Sequence, residues 1–242
     1  MNKILTVLNS LYGGKLLKSL VALGIIFMVI GCTYINQVTM GPKVEKLAIP
    51  KPIPLEAGLL ITEESKTQIF MSANTPHFSN EIPTYYIEPY QLPIGEAFEK
   101  ASVQVFSQVF QKVHLVRSLD EAKNYPLVIE PKLENFDFQL TYIYHGEKRP
   151  YYALVEFRGK AKVVGTLFNR GRKIWQKTSE PPVEPRSQVY SNLLIRTTGE
   201  EASETIVRAL KGLAFKMVEE STVAPPPPPV RGWLEEVNNK NR

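Results

Sequence analysis

Cysteine is nearly absent from this chain of 242 residues: one, Cys32, stands beside only three histidines, His77, His114 and His145. A lone cysteine can form neither an internal disulfide nor a Cys-based zinc cluster, and three scattered histidines leave little for a metal centre. There is no Gly-x-Ser-x-Gly elbow, no His-Glu-x-x-His and no Gly-x-Gly-x-x-Gly. Gly159-Lys160 lacks both the upstream glycine and the following Ser or Thr of a phosphate loop. No metal, cofactor or catalytic residue is therefore expected, and the chain reads as not an enzyme. Net charge is small too, with 29 Lys and Arg against 24 Asp and Glu. Such a balance makes no case for nucleic-acid binding, which needs a clustered basic face. What is present, 43% apolar and 22% charged residues, suits one folded domain with extensions.

The amino terminus carries no acid before Glu45, and Lys3, Lys15 and Lys18 are its only charges before position 43. They precede an uncharged run from Leu20 to Ile30. That run is shorter than the roughly 20 residues of a membrane span and matches the hydrophobic region of a secretory signal. Val29-Ile30-Gly31-Cys32 resembles the lipobox of bacterial lipoproteins, where the signal peptidase cuts before the cysteine. The resemblance implies that Cys32 is acylated, with chains such as palmitate, and becomes the new amino terminus. Several chains anchor stably because each buried CH₂ contributes about 0.8 kcal/mol. Thr33 after the cysteine, where an Asp would favour the inner membrane of enterobacteria, implies the outer membrane. An uncleaved anchor helix with an incidental Cys32 is the other reading. Loss of residues 1–31 removes three lysines and no acid, which leaves 26 basic and 24 acidic side chains, a nominal +2.

Residues 32–57 hold Gly41-Pro42, Pro50, Pro52 and Pro54, which disfavour helix and remove backbone donors. A tether is expected there, or in part an edge strand packed on the domain. The folded domain is expected over residues 58–220. Leu59 to Phe70 and Thr84 to Ile87 read as strands. Phe98, Ala101, Val105, Val109 and Val113, with Phe106 and Phe110 beside them, recur at helical spacing and predict a helix over 95–113. Phe136, Phe138, Leu140, Tyr142 and Tyr144 share one parity, the mark of a half-buried strand over 127–144. A turn over 145–150 leads to a second strand with Ala153, Val155, Phe157, Ala161 and Val163 inward. A turn at Asn169-Arg170-Gly171-Arg172 leads to a third over 173–178. Thr198-Gly199-Glu200-Glu201 has the form of a capping box, so a second helix is expected from Thr198. It carries Ala202, Ile206, Ala209, Leu210, Leu213 and Met217 on one face. The expected class is α+β: a mainly antiparallel sheet with two helices on one face, its other face wet, flanked by Pro-rich extensions.

Residues 221–242 form a tail with five prolines, Pro225, Pro226, Pro227, Pro228 and Pro229, ahead of Trp233, Leu234 and Val237. Polyproline is stiff and preformed. The tail is expected either to dock on a partner through these residues or to be a disordered end. His114 is expected at a helix end and His145 in a hairpin turn. Glu130, Glu134 and Asp137 could in principle pair for acid and base work, but Asp137 is expected opposite Arg158 or Lys160 of the neighbouring strand, where cross-strand charge pairing accounts for it. The row Arg158, Lys160 and Lys162 is expected to be a solvated face, with anionic headgroups as the alternative partner.

A lipobox, a Pro-rich tether and a single α/β domain resemble the small periplasm-facing lipoproteins of Gram-negative envelopes, and among them the ABC-type transport auxiliary group. Phe168-Asn169-Arg170-Gly171-Arg172-Lys173-Ile174-Trp175 is similar to their strand, Gly-containing turn and strand ending in an aromatic. The resemblance implies a non-enzymatic lipoprotein of the outer membrane, tethered to it by its lipid. It would serve an envelope transport or assembly complex, with phospholipid in transit as a further contact. A scaffold lipoprotein of a secretion, pilus or surface-appendage machine is the alternative. A periplasmic enzyme with a site invisible in one sequence is a third reading.

Overall fold

A computed structural model describes residues 35–49, 51–72, 89–145, 152–189 and 193–222. The chain divides at Ile35/Asn36, and the elements below belong to the second unit. In chain order they are β1 (Asn36–Gln37), β2 (Ile53–Leu60), α1 (Glu63–Lys66), β3 (Phe70–Met71), β4 (Tyr90–Leu92) and α2 (Ile94–Val109). Then follow β5 (Phe110–Val116), α3 (Leu119–Ala122), β6 (Leu127–His145), β7 (Tyr152–Asn169), β8 (Arg172–Ser179), β9 (Arg186–Val189) and α4 (Leu194–Thr222).

The main sheet has the order β5-β2-β6-β7-β8, and β9 also pairs with β7. β6 and β7 form a long antiparallel hairpin in register from Leu127↔Asn169 to His145↔Tyr152, with an irregularity between Leu133 and Asn135. β8 and β9 add antiparallel to successive stretches of β7. The expected meander is therefore present. It is extended on its other side by β2, which runs parallel to both β5 and β6. Parallel neighbours require a long crossover, and α2 supplies it between β2 and β5. The fold is α+β with antiparallel pairing dominant, as expected.

Both long helices pack on the same sheet face. α2 buries Phe98, Ala101, Val105, Phe106 and Val109, and α4 buries Ala202, Ile206, Ala209, Leu210, Leu213 and Met217, all in one core with Leu59, Ile129, Val163 and Leu167. A fully buried Phe such as Phe98 or Phe106 contributes about 2–3 kcal/mol relative to exposure. α4 lies close on β7 because Gly165 sits beneath it. A Cβ there would stand 2.5 Å from Leu213 Cδ2.

Four expectations need correction. The first helix ends at Val109, and Phe110 is already extended (φ −111°, ψ 157°). Phe110 and Val113 stand three apart, which suits a period of 3.6 and not of 2, and the open edge of β2 nonetheless imposes strand by supplying partners from Ile53↔Phe110 to Leu60↔Val116. Leu59 to Phe70 is not one strand: β2 begins at Ile53, and Thr62 then caps α1 with its side chain accepting from Ser65 N. α4 starts at Leu194, so Thr198 is no cap. It is buried, and its hydroxyl donates to Leu194 O at 2.8 Å.

The fourth concerns the tether. Residues 36–49 belong to the domain: Val38, Met40 and Leu47 are buried in the main core. Leu47 N donates to Gln108 Oε1 at 2.7 Å and Val44 N to Gln104 Oε1 at 3.2 Å. Gly199 permits this strap to cross α4, since a Cβ there would lie 2.1 Å from Thr39 O. β1 pairs parallel with β4, which pairs with β3 in a small second sheet, so the edge-strand alternative describes Asn36–Gln37. The described domain accordingly runs from Asn36 to Thr222 and not from residue 58 to 220. The strand expected at Thr84 to Ile87 lies outside the described residues.

Candidate binding pocket

The face of the main sheet turned away from the helices is not simply wet. Side chains alternate along each strand, so Leu59 and Ile129 enter the helix-side core while Leu60 and Val128 point the other way. Leu60, Val116, Ala122 and Val128 form a second small core with Tyr125 and Phe168 packed on it. The register explains the row. Leu60 stands opposite Val116 on β5, and Val128 stands opposite Phe168 on β7.

An arch over residues 117–126 roofs this patch. Ser118 caps α3 by accepting from Glu121 N at 3.2 Å, a Ser-x-x-Glu start that positions Leu119 and Ala122 over the sheet. Tyr125 covers Gly58, where a Cβ would stand 3.1 Å from its ring, and it lies 5.0 Å between centroids from His114. The opposite wall is the β7–β8 turn. Arg170 (φ 50°) and Gly171 (φ 79°) are left-handed there, and Arg170 N donates to Pro126 O at 2.7 Å. Between arch and turn lies a cavity of about 680 Å³ lined by Leu60, Leu119, Tyr125, Val128 and Phe168, with Lys123 and Arg170 also on its lining. That volume is within the usual range for a small-ligand site.

The arch is held electrostatically at its base. Arg117 makes a two-pronged ion pair with Glu99 of α2, one prong from Nη1 to Oε2 and the other from Nη2 to Oε1 at 2.9 Å. Its backbone N donates to Glu121 Oε2 at 2.6 Å, and its Nε lies 3.6 Å from Glu63 Oε1. The Arg117 hydrogen bond holds the Glu99 carboxyl below the usual carboxylate range despite burial, and Glu99 in turn raises Arg117. Asp120 and Glu180 are likewise pulled down, by hydrogen bonds from Lys123 and Lys160. Each of these carboxylates is held charged by a basic partner, the opposite of an acid kept protonated for proton donation. Among the described residues there is no group of three or more His, Cys, Asp or Glu able to hold a metal ion. What this pocket can do is bury an apolar group beside Arg170 and the exposed Lys123–Asp120 pair.

Val29, Ile30, Gly31 and Cys32 lie outside the described residues, as do Pro225 to Pro229, Trp233, Leu234, Val237 and His77. His114 is in mid-strand rather than at a helix end, its Nε2 3.1 Å from Glu56 Oε2. His145 closes β6, paired with Tyr152, rather than sitting in the turn. Lys162 meets Glu134 across the strands at 2.8 Å. Asp137 stands opposite Lys160 but accepts from Gln139 Nε2 at 3.2 Å, while Lys160 pairs with Glu180 at 2.8 Å. Glu130 pairs with Lys132, and Arg158 with Glu156. The basic row is thus matched by acids. The pocket residues were not singled out from sequence, although Leu59-Leu60 and Leu127-Val128-Ile129 are apolar on both parities, the signal of a strand covered on both faces.

No family model and no curated protein matches this chain. Solved structures do. A Xanthomonas campestris protein of the DUF330 family is similar at 12% identity and a TM-score of 0.41, over 86% of this chain and 98% of that one. A putative neuraminyllactose-binding hemagglutinin homolog from Helicobacter pylori is similar at 10% identity and a TM-score of 0.37, over 85% and 98%. A minor lipoprotein from Acinetobacter baumannii is similar at 11% identity and a TM-score of 0.25, over 68% and 90%. Among the described residues no helix is long and apolar enough to cross a membrane.

Proposed function

We propose that the protein is a lipid-anchored auxiliary component of an envelope transport or assembly complex, and that its domain handles an amphiphile in transit. The observation that carries this reading is the pocket of about 680 Å³ on the free face of the sheet, apolar within and flanked by Lys123 and Arg170. Burying a single CH₂ is worth about 0.8 kcal/mol, so about ten methylenes of an acyl chain contribute about 8 kcal/mol, enough for reversible binding, and the cations meet an anionic head. The lipobox-like Val29 to Cys32 supports a membrane address, where such ligands are concentrated.

A crosslinked membrane pull-down from the native host, identifying proteins and lipids together, tests this. The wild-type chain is compared with Leu119→Glu, which places a carboxylate at the pocket mouth on a side chain already 69% exposed. Expected are transport or assembly components with phospholipid, the phospholipid reduced at least fivefold by the substitution. Lipid recovery unchanged by Leu119→Glu would sink the amphiphile reading, and secretion or appendage subunits recovered without lipid would establish the scaffold alternative. Cys32→Ser should release the protein from the membrane fraction; persistence there at the same mature mass would remove the lipid anchor.

A further inference from the structure

We infer that the chain's own carboxy-terminal segment, Trp233 to Val237, is an occupant of this pocket. Trp233 and Leu234 would be buried against Val128 and Phe168, with Glu235 and Glu236 on its basic rim. Three independent features converge on that occupant.

The first is where the helix delivers the tail. α4 ends at Thr222, and its last turn is fastened to β8: Glu220 accepts from Trp175 Nε1 at 2.9 Å and meets Lys177 at 2.9 Å. β8 is an end strand of the main sheet order, and the turn that begins it, Arg170-Gly171, is one wall of the pocket. The tail therefore starts at an edge around which the pocket face is reached without crossing another strand of that sheet.

The second is length. From Trp175 back to Gly171 is roughly 13 Å along the strand, and rounding the sheet edge adds ~15 Å. Trp233 lies eleven residue steps beyond Thr222, and at about 3.1 Å per step in polyproline form these would reach about 34 Å. Five prolines would limit the chain entropy lost on closing that span, while Val223-Ala224 before them and Val230-Arg231-Gly232 after them leave it able to turn round the edge.

The third is chemistry. At helical spacing Trp233 and Val237 would share one face with Leu234 beside them, and Glu235-Glu236 would compete with Asp120 for Lys123 beside a turn carrying Arg170, Arg172 and Lys173. The pocket's apolar interior and basic edge are the complement of an apolar-acidic segment. This inference uses the same pocket as the amphiphile reading and makes the tail a competitor that an incoming ligand displaces.

The test places a photo-crosslinking amino acid at position 234 of the full-length chain in its native host and maps the products by mass spectrometry. Expected is a crosslink within one chain to the arch or the β7–β8 turn, around Leu119, Tyr125 or Phe168. Lys123→Glu, at a side chain 74% exposed where loss of the surface pair with Asp120 costs at most about 1 kcal/mol, should lower its yield at least fivefold. Glu235→Lys with Glu236→Lys in the same chain should restore it. Products only with another protein, a lipid or a second copy would overturn the inference, as would a yield indifferent to Lys123→Glu. A within-chain crosslink without lipid recovery in the pull-down would uphold the tail and sink the amphiphile; lipid recovery without the crosslink would do the reverse.

Discussion

Glu99 and Arg117 show how much of the pocket depends on single side chains. The Glu99 side chain is only 16% exposed, so its charge survives because Arg117 hydrogen-bonds to it, and Arg117 opens the arch that roofs the pocket. Arg117→Met should cost about 1–3 kcal/mol in a urea titration, since it strips a charged hydrogen bond from a largely buried carboxylate. Glu99 has a folded-state pKa below its unfolded value, so its stabilisation is present above the unfolded pKa and fades as pH falls through the folded one. Glu99→Gln should therefore flatten the acid side of the stability profile, measured as urea midpoint against pH. An unchanged acid slope would show that the pair contributes nothing to folding. At Gly165 the argument is steric: a side chain would meet Leu213, and Gly165→Val should cost about 1–3 kcal/mol by overpacking.

At the scale of elements, the strap of residues 36–49 is the instructive case. Its prolines and glycine signal an extended, helix-free segment, which it is. They do not signal whether that segment is solvated. That is settled by Val38, Met40 and Leu47 finding a groove along α2 and α4, and by Gln104 and Gln108 offering side-chain oxygens to its backbone N–H groups. Extended backbone with unpaired donors stays on a domain only where such acceptors exist. Gly199→Ala should push the strap from α4, with hydrogen-exchange protection at Val44 and Leu47 falling at least tenfold while that of β6 and β7 is kept. Equal protection in the variant would mean that the strap is held without this close approach. The same dependence on partners decided β5, where the Phe110 and Val113 spacing reads as helix until β2 presents an open edge.

On the scale of the whole molecule, the antiparallel hairpin, the two long helices and their common face were legible because each rests on local periodicity: period two in β6 and β7, period 3.6 in α2 and α4. The pocket was not legible in the same way. Its side chains come from β2, α3, β6, β7 and the segments that follow α3 and β7, and nothing local links Leu60 to Phe168. Only the parallel insertion of β2 between β5 and β6 brings them into one row, and only the arch turns that row into a cavity. What the sequence by itself determined is what short-range chemistry encodes: the amphipathic elements with their periods, the turn at Arg170-Gly171 and the helix-free character of the strap. What tertiary structure alone decided is which surfaces those elements leave over, because register and strand order depend on contacts between residues distant in the chain. A free apolar face beside a basic turn is a product of that assembly.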